Sequence, residues 1–349
     1  MNTFLELLSK IQSDYIPVYC TGYPESAFVN NYIHRYKLEP NSINYTLRGK
    51  DYYIIKLMGF DTISIWDYRR GKGGYSLNSN LYVDGWGRIY KDKWYSWSGV
   101  FKNEEIVDTW NHLNLPSKEY LDDLKKLLQI LKEIQLVPVL SVPGLFEKTW
   151  QSMGFAFFAK CISKNRFDLI NRVIRFFSEY IEKLIIALQN SGARIFIVAD
   201  DCGYKKREFI PKDLWIKLYF KNYKKIINLV HQKRNKIILH SDGYISNLVD
   251  IFVKLGFDAI QSLEPDAGVD IFKLFEEFKD QICFIGNVSN TLLTYGTPQD
   301  VKKYVTKLIS KARQTNTPLV ISPTQHIDAA TKPENIKIMI ETTKGFKSN

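Results

Sequence analysis

Short apolar runs rich in β-branched residues alternate along the chain with longer stretches whose apolar positions recur every three to four residues. The runs are Ile16 to Cys20, Thr62 to Trp66, Leu136 to Ser141, Arg194 to Ala199, Lys236 to His240, Asp258 to Ser262, Gln281 to Gly286 and Pro318 to Ser322. Most are continuous rather than alternating, which is the pattern of strands buried on both faces of a parallel sheet. Helical periodicity predicts helices over Glu25 to Tyr36, Gly49 to Met58, Trp150 to Ala159 and Ile271 to Phe278. Ser117 opens a further helix, with Glu119 in its first turn and Leu121, Leu124, Leu128 and Leu131 on one face. A long stripe runs from Phe167 to Leu188, and a helix with Pro211 in its first turn carries Tyr219, Tyr223, Ile226, Ile227 and Val230. The helix around Leu248, Phe252 and Leu255 stops at Gly256, Thr297-Pro298 caps one with Val301, Val305, Leu308 and Ile309 inward, and Pro333 begins the last.

Eight buried strands separated by helices predict an α/β chain folded as a single (β/α)8 TIM barrel over residues 1–349, with helices preceding its strands at the N-terminus. No Gly-x-Gly-x-x-Gly follows the first strand, so a dinucleotide-binding open sheet loses its main support. Leu81 to Gly99, rich in Tyr, Trp and Gly with a turn at Lys91-Asp92-Lys93, reads as a β-hairpin excursion. Its aromatics are read first as the packing of a small sheet, and second as a lid over a site.

A barrel carries its chemistry on the loops after its strands, and polar residues gather there. Asp200 and Asp201 follow the fourth strand, His240 and Asp242 the fifth, Glu264 and Asp266 the sixth, Asn287 the seventh, and Gln325 and His326 the eighth. Adjacent strands lie about 4.8 Å apart, so the exits of strands four to six are within reach of one small ligand or ion. A histidine and a carboxylate two residues apart suit a metal-ligand pair or an acid/base pair. The competing reading is a helix-capping Asp242 beside a hydrogen-bonded His240.

Composition narrows the partners. Apolar residues make up 45% of the chain and charged residues 24%, a globular balance. The formal charge of +11 would suit an anionic partner, but the lysines are spread in mixed-sign patterns such as Lys118 to Glu133. No nucleic-acid-binding motif is present, and nucleic acid is not expected as a partner. Cys20, Cys161, Cys202 and Cys283 lie far apart, which argues against a disulfide framework or a thiolate zinc knuckle and for reduced, intracellular thiols. The first fifteen residues lack a secretory apolar core, and no run approaches the roughly 18 to 20 apolar residues of a spanning helix. A cytoplasmic protein without membrane partners is the expectation.

Several ordered segments carry a family resemblance: Val83-Asp-Gly-Trp-Gly-Arg88, Asp200-Asp201-x-Gly, Ile-Leu-His240-Ser-Asp-Gly, Gly256-Phe-Asp-Ala-Ile-Gln-Ser-Leu-Glu-Pro265, Phe284-Ile-Gly-Asn-Val288, Tyr295-Gly-Thr-Pro-Gln-Asp-Val301, Ile321-Ser-Pro and Lys332-Pro-Glu-Asn. In these the chain resembles the uroporphyrinogen decarboxylase superfamily, which includes the decarboxylase and corrinoid-dependent methyltransferases. The resemblance implies the same barrel. It also implies a methyltransferase-like enzyme acting on a methylated small molecule or a methyl-corrinoid, with a corrinoid protein as partner. The methyltransferases bind zinc through His-x-Cys after strand five and a Cys after strand eight; here those positions read His240-Ser241-Asp242 and Gln325. A divalent metal such as zinc would then rest on nitrogen and oxygen, from His240, Asp242 and Glu264, with His326 as a further donor and Cys202 as a candidate thiolate.

In that reading His240 and Asp242 position the metal or act as acid and base, Asp201 and Glu264 assist, and Asn287, Gln325, His326 and Trp86 contact substrate. A second reading is decarboxylation of uroporphyrinogen or a related tetrapyrrole acid, with Asp200 or Asp201 as the acid. The family's Arg-Gln-Ala-Gly-Arg stretch is here Tyr19-Cys20-Thr21-Gly22-Tyr23-Pro24, without arginine to grip carboxylates. A third reading is a non-catalytic tetrapyrrole or corrinoid binder stacking on Trp86, Trp94 and Trp97. A homodimer formed through the barrel rim is left open.

Overall fold

The structure is a computed structural model that describes residues 2–11, 13–39, 46–47, 50–66 and 73–346. Eight parallel strands run in chain order around one sheet: β1 (Tyr19–Cys20), β2 (Thr62–Ile65), β3 (Val137–Pro143), β4 (Ile195–Ala199), β5 (Lys236–Ser241), β6 (Ala259–Ser262), β7 (Cys283–Val288) and β8 (Leu319–Pro323). A parallel bridge between Val18 and Ile321, with Ile321 N–H donating to the Pro17 carbonyl at 3.1 Å, joins the last strand to the first. The fold is therefore the (β/α)8 TIM barrel. All eight sequence-derived runs correspond to its strands, with ends that coincide or are displaced by at most three residues.

Period-2 alternation divides the core in two. Tyr19, Val137, Val139, Ile195, Ile197, Ile238, Ala259, Cys283, Ile285 and Val320 fill the barrel interior, and Phe4, Leu7 and Leu8 of the first helix close its lower end. The intervening strand residues pack outward against the helices. Three of the inward series end in polar residues at the upper mouth: Ile195-Ile197-Ala199 leads to Asp201, Ile238 to His240 and Asp242, and Ala259 to Gln261.

Several elements differ from the sequence reading for local reasons. The helix expected from Gly49 begins at Tyr52, because Asp51 caps it by accepting from Tyr53 N–H at 3.0 Å; Gly49 itself lies outside the described residues. The helix expected over Trp150 to Ala159 is two helices, Leu145–Met153 and Phe155–Ser163, divided at Gly154, whose φ of +79° favours glycine. Pro211 stands just before the helix Lys212–Gln232 rather than within its first turn. The helix after Ser117 buries Tyr120, Leu124, Leu127 and Leu131, with Leu121 and Leu128 on its margins.

The excursion is also larger than a hairpin. Gly74–Ser76, Leu81–Asp84, Arg88–Lys91 and Trp94–Gly99 form a four-stranded antiparallel sheet. Its first strand follows a Gly- and Lys/Arg-rich stretch with the composition of a turn, and cross-strand pairing with Asp84, Val83 and Tyr82 recruits it. Among the described residues no helix is long and apolar enough to cross a membrane.

Candidate metal centre at the barrel mouth

Register brings His240 to the centre. It pairs with Ala199 on one side and Gln261 on the other. Its Nδ1 bonds Gln261 Oε1, and Gln261 Nε2 donates to the Thr324 carbonyl at 3.2 Å, which fixes the amide orientation. A carbonyl oxygen only accepts, so Nδ1 carries a proton and Nε2 is the ring nitrogen left for a ligand. That nitrogen faces Asp242 Oδ1 at 3.7 Å and Asp201 Oδ1 at 3.9 Å. Trp66 packs edge-on against the imidazole, with ring centroids 5.3 Å apart.

Two glycines let the carboxylates converge. A Cβ on Gly203 would lie 2.7 Å from the Gly243 carbonyl carbon, and Gly243 has a φ of +81°, so the loops after β4 and β5 touch backbone to backbone. Asp242 N–H donates to Asp201 Oδ1 at 3.0 Å, and Ser262 donates to Asp242 Oδ1 at 2.8 Å. Asp201, His240 and Asp242 each place one donor atom within 4.8 Å of the others, a set able to hold a metal ion. A histidine whose second nitrogen is held by a carbonyl is the usual support of a metal ligand.

The remaining sequence-derived residues fall into three positions. Glu264 is at the mouth but outside the triad. It accepts from Gly243 N–H at 2.6 Å and from Gln325 Nε2 at 2.7 Å, so its carboxylate ties the loops after β5, β6 and β8 together. Burial pushes its carboxyl up, although the Gly243 N–H opposes this; neighbouring Asp242, Asp201 and Asp266 add to the rise. The group of three donors within reach of one ion thus contains Asp201 and not Glu264. Gln325 and His326 line a cavity of about 470 Å³ together with Tyr23, Trp66, His240 and Asp242.

Asp200, Asn287 and Trp86 are turned away from the mouth. Asp200 is 1% exposed and accepts from Phe146 N–H at 3.0 Å, Glu147 N–H at 2.6 Å and the Tyr223 hydroxyl, so it caps the helix Leu145–Met153. Gly144 leaves room for it, since a Cβ there would collide with the Asp200 side chain. Burial lifts its carboxyl to about 7 despite these donors. Asn287 donates to the Leu263 carbonyl at 3.0 Å and accepts from Tyr304 at 2.8 Å, which occupies its amide. Trp86 is fully buried against Phe177 and Tyr180, with centroids 6.0 and 5.3 Å away, so it is core rather than a stacking platform. Cys202 is likewise buried, burial holds its thiol far above the ordinary value, and it lies outside the triad.

A second cavity of about 260 Å³ meets the first at His240 and is lined by Arg88, Ser141, Glu147, Lys148 and Asp201. A third cavity, about 890 Å³, lies at the opposite end of the barrel among Phe4, Leu131, Val137 and Ile195 and shares no residue with the triad. Barrel chemistry belongs at the strand C-termini, so the two smaller cavities define the site. Sequence reasoning missed Gln261, Ser262, Trp66 and Lys148. The one visible signal was a glutamine interrupting the apolar run of β6.

A methyltransferase from Methanosarcina mazei superposes with a TM-score of 0.70 at 16% identity, covering 99% of this chain and 98% of its own. A B12-independent methionine synthase from Shewanella sp. W3-18-1 aligns with a TM-score of 0.49 at 12% identity over 94% of this chain and 97% of its own. No functionally curated protein matches the chain. The uroporphyrinogen decarboxylase (URO-D) family model matches residues 111–346, and the chain belongs to that family.

Proposed function

We propose that the protein is a metal-dependent, methyltransferase-like enzyme of the URO-D family, binding a divalent ion such as zinc on Asp201, His240 and Asp242. The observation that carries this reading is His240 Nε2 facing two carboxylates at 3.7 and 3.9 Å while Gln261 holds Nδ1. One imidazole nitrogen and two carboxylate oxygens suit borderline to hard divalent ions rather than a thiolate-demanding site. Bound there, the ion would act as a Lewis acid that lowers the pKa of a coordinated thiol, alcohol or water.

The chain's own groups prepare that role. Gln261 fixes the imidazole tautomer, the Ser262 hydroxyl holds Asp242, and Asp242 N–H holds Asp201. Trp66 shields one edge of His240 from water. The methyl source expected for this branch is a methyl-corrinoid. Cavities of about 260 and 470 Å³ suit a small molecule and not a whole corrinoid, so the corrinoid would approach on a carrier protein rather than reside in the barrel. The decarboxylase reading loses one candidate acid, because Asp200 is committed to a helix end, and the stacking reading loses Trp86 to the core.

The test is consumption of methylcobalamin absorbance with 2-mercaptoethanol as acceptor, in metal-free and zinc-loaded protein. Zinc-dependent consumption that disappears in Asp242→Asn supports the proposal; consumption equal with and without metal contradicts it. Gln261→Met keeps volume but removes the carbonyl that orients His240. It is expected to weaken zinc affinity by about 10- to 100-fold, read by competition with a chromogenic chelator.

A further inference from the structure

Next to the triad lies a buried cation whose bonding is incomplete. Lys148, on the helix Leu145–Met153, is 6% exposed and lines the cavity of about 260 Å³ that also reaches Asp201 and His240. Its ammonium has three N–H donors. One is used by Gln151 Oε1 at 2.9 Å. The nearest carboxylate, Glu147 Oε2, stands at 3.9 Å, beyond hydrogen-bond reach, and the Trp86 ring lies 5.7 Å away. Arg88 lines the same cavity. It is anchored by Asp84 at 2.6 and 2.8 Å and shares Gln151 Oε1 with Lys148 at 3.2 Å.

Burying an ammonium without its full set of partners opposes folding, and such a group is retained where a ligand completes it. Glu147 does not fill that role, since its Oε1 accepts from Gln151 Nε2 at 2.5 Å and holds the carboxylate along the helix. Among the described residues no other acceptor is in hydrogen-bond reach of the remaining Lys148 donors, which line the cavity.

We propose that Lys148, steadied by Arg88 and Gln151, is the anion-binding subsite for a carboxylate on the substrate. Building on the metal-centre reading, this identifies the substrate class. It is a compact molecule with a carboxylate at one end and, at the other, the group presented to Asp201, His240 and Asp242. A cavity of about 260 Å³ beside Lys148 has no room for a tetrapyrrole ring, so the part of the acid that reaches Lys148 is small. Selectivity follows from the buried donors, because a neutral analogue would leave them unpaired.

The probes are 3-mercaptopropionate, which carries both ends, and 2-mercaptoethanol, which lacks the carboxylate; their dissociation constants are measured by calorimetry in metal-free and zinc-loaded protein. The expected result is an approximately tenfold preference for 3-mercaptopropionate in the wild type. That preference falls to near unity in Lys148→Met and is partly restored in Lys148→Arg, with zinc stoichiometry unchanged. Removal of a buried ammonium leaves the melting temperature of Lys148→Met equal or higher, which separates lost recognition from lost folding. Lys148→Gln gives the same comparison with a polar replacement. A wild type without preference, or a preference intact in both Lys148→Met and Lys148→Gln, overturns the proposal. Failure of the metal reading would appear separately, as affinities for both thiols that do not change on zinc loading.

Discussion

Replacing His240 by alanine is expected to abolish stoichiometric metal binding while the barrel still folds. The imidazole is the only nitrogen donor in the triad, and its Nε2 points at both carboxylates because Gln261 holds the ring from behind. Without it, Asp201 and Asp242 remain as two partly exposed carboxylates on loops, a poor site for a transition ion. An affinity loss beyond about 100-fold follows, since removal of an outer-shell partner alone costs 10- to 100-fold. Elemental analysis after zinc loading and gel filtration reads the stoichiometry, and circular dichroism checks the fold. Metal retained at the wild-type level by His240→Ala would place the ion elsewhere.

Asp200→Ala is expected to do the reverse, lowering stability by about 3 kcal/mol with metal stoichiometry intact. The substitution strands the N–H groups of Phe146 and Glu147 and the Tyr223 hydroxyl, all buried or nearly so. The pH dependence has a definite sign. Burial raises the folded-state value from 3.8 to about 7, so the folded chain holds this proton more tightly than the unfolded chain. The stability contributed by the protonated group is complete below the unfolded value and is lost as pH rises through about 7. The deficit of the variant should therefore be greatest at the acidic end of that window and shrink toward neutrality. Denaturant melts across it measure this; a deficit that grows with pH would contradict the assignment.

Neighbouring Asp200 and Asp201 show how far a sequence reading reaches. Continuous apolar runs identified every barrel strand, because burial on both faces leaves few polar interruptions. The polar residues at the strand exits were equally visible, and His240, Asp242, Gln325 and His326 all line the cavity of about 470 Å³. Which of two adjacent aspartates faces inward depends on strand parity. Ile195, Ile197 and Ala199 lead to Asp201, so Asp200 turns outward to a helix end. Parity alone does not place Asn287, whose amide is taken by Leu263 and by Tyr304 on a distant helix. Trp86 and Lys148 were illegible for a related reason: their surroundings come from helices about sixty to ninety residues later or from the excursion sheet, and no local pattern encodes that packing. Glu264 was read as a ligand because it follows strand six, next to β5; in the structure its two oxygens accept from Gly243 and Gln325.

The central claim is that a divalent ion sits among Asp201, His240 and Asp242. Anomalous diffraction from zinc-loaded crystals, collected on both sides of the zinc edge, tests it most directly. The account predicts one strong peak per chain, within coordination distance of His240 Nε2 and of a carboxylate oxygen from each of Asp201 and Asp242. A zinc-saturated protein with no peak at these three residues, or with its peak at another site, would contradict it.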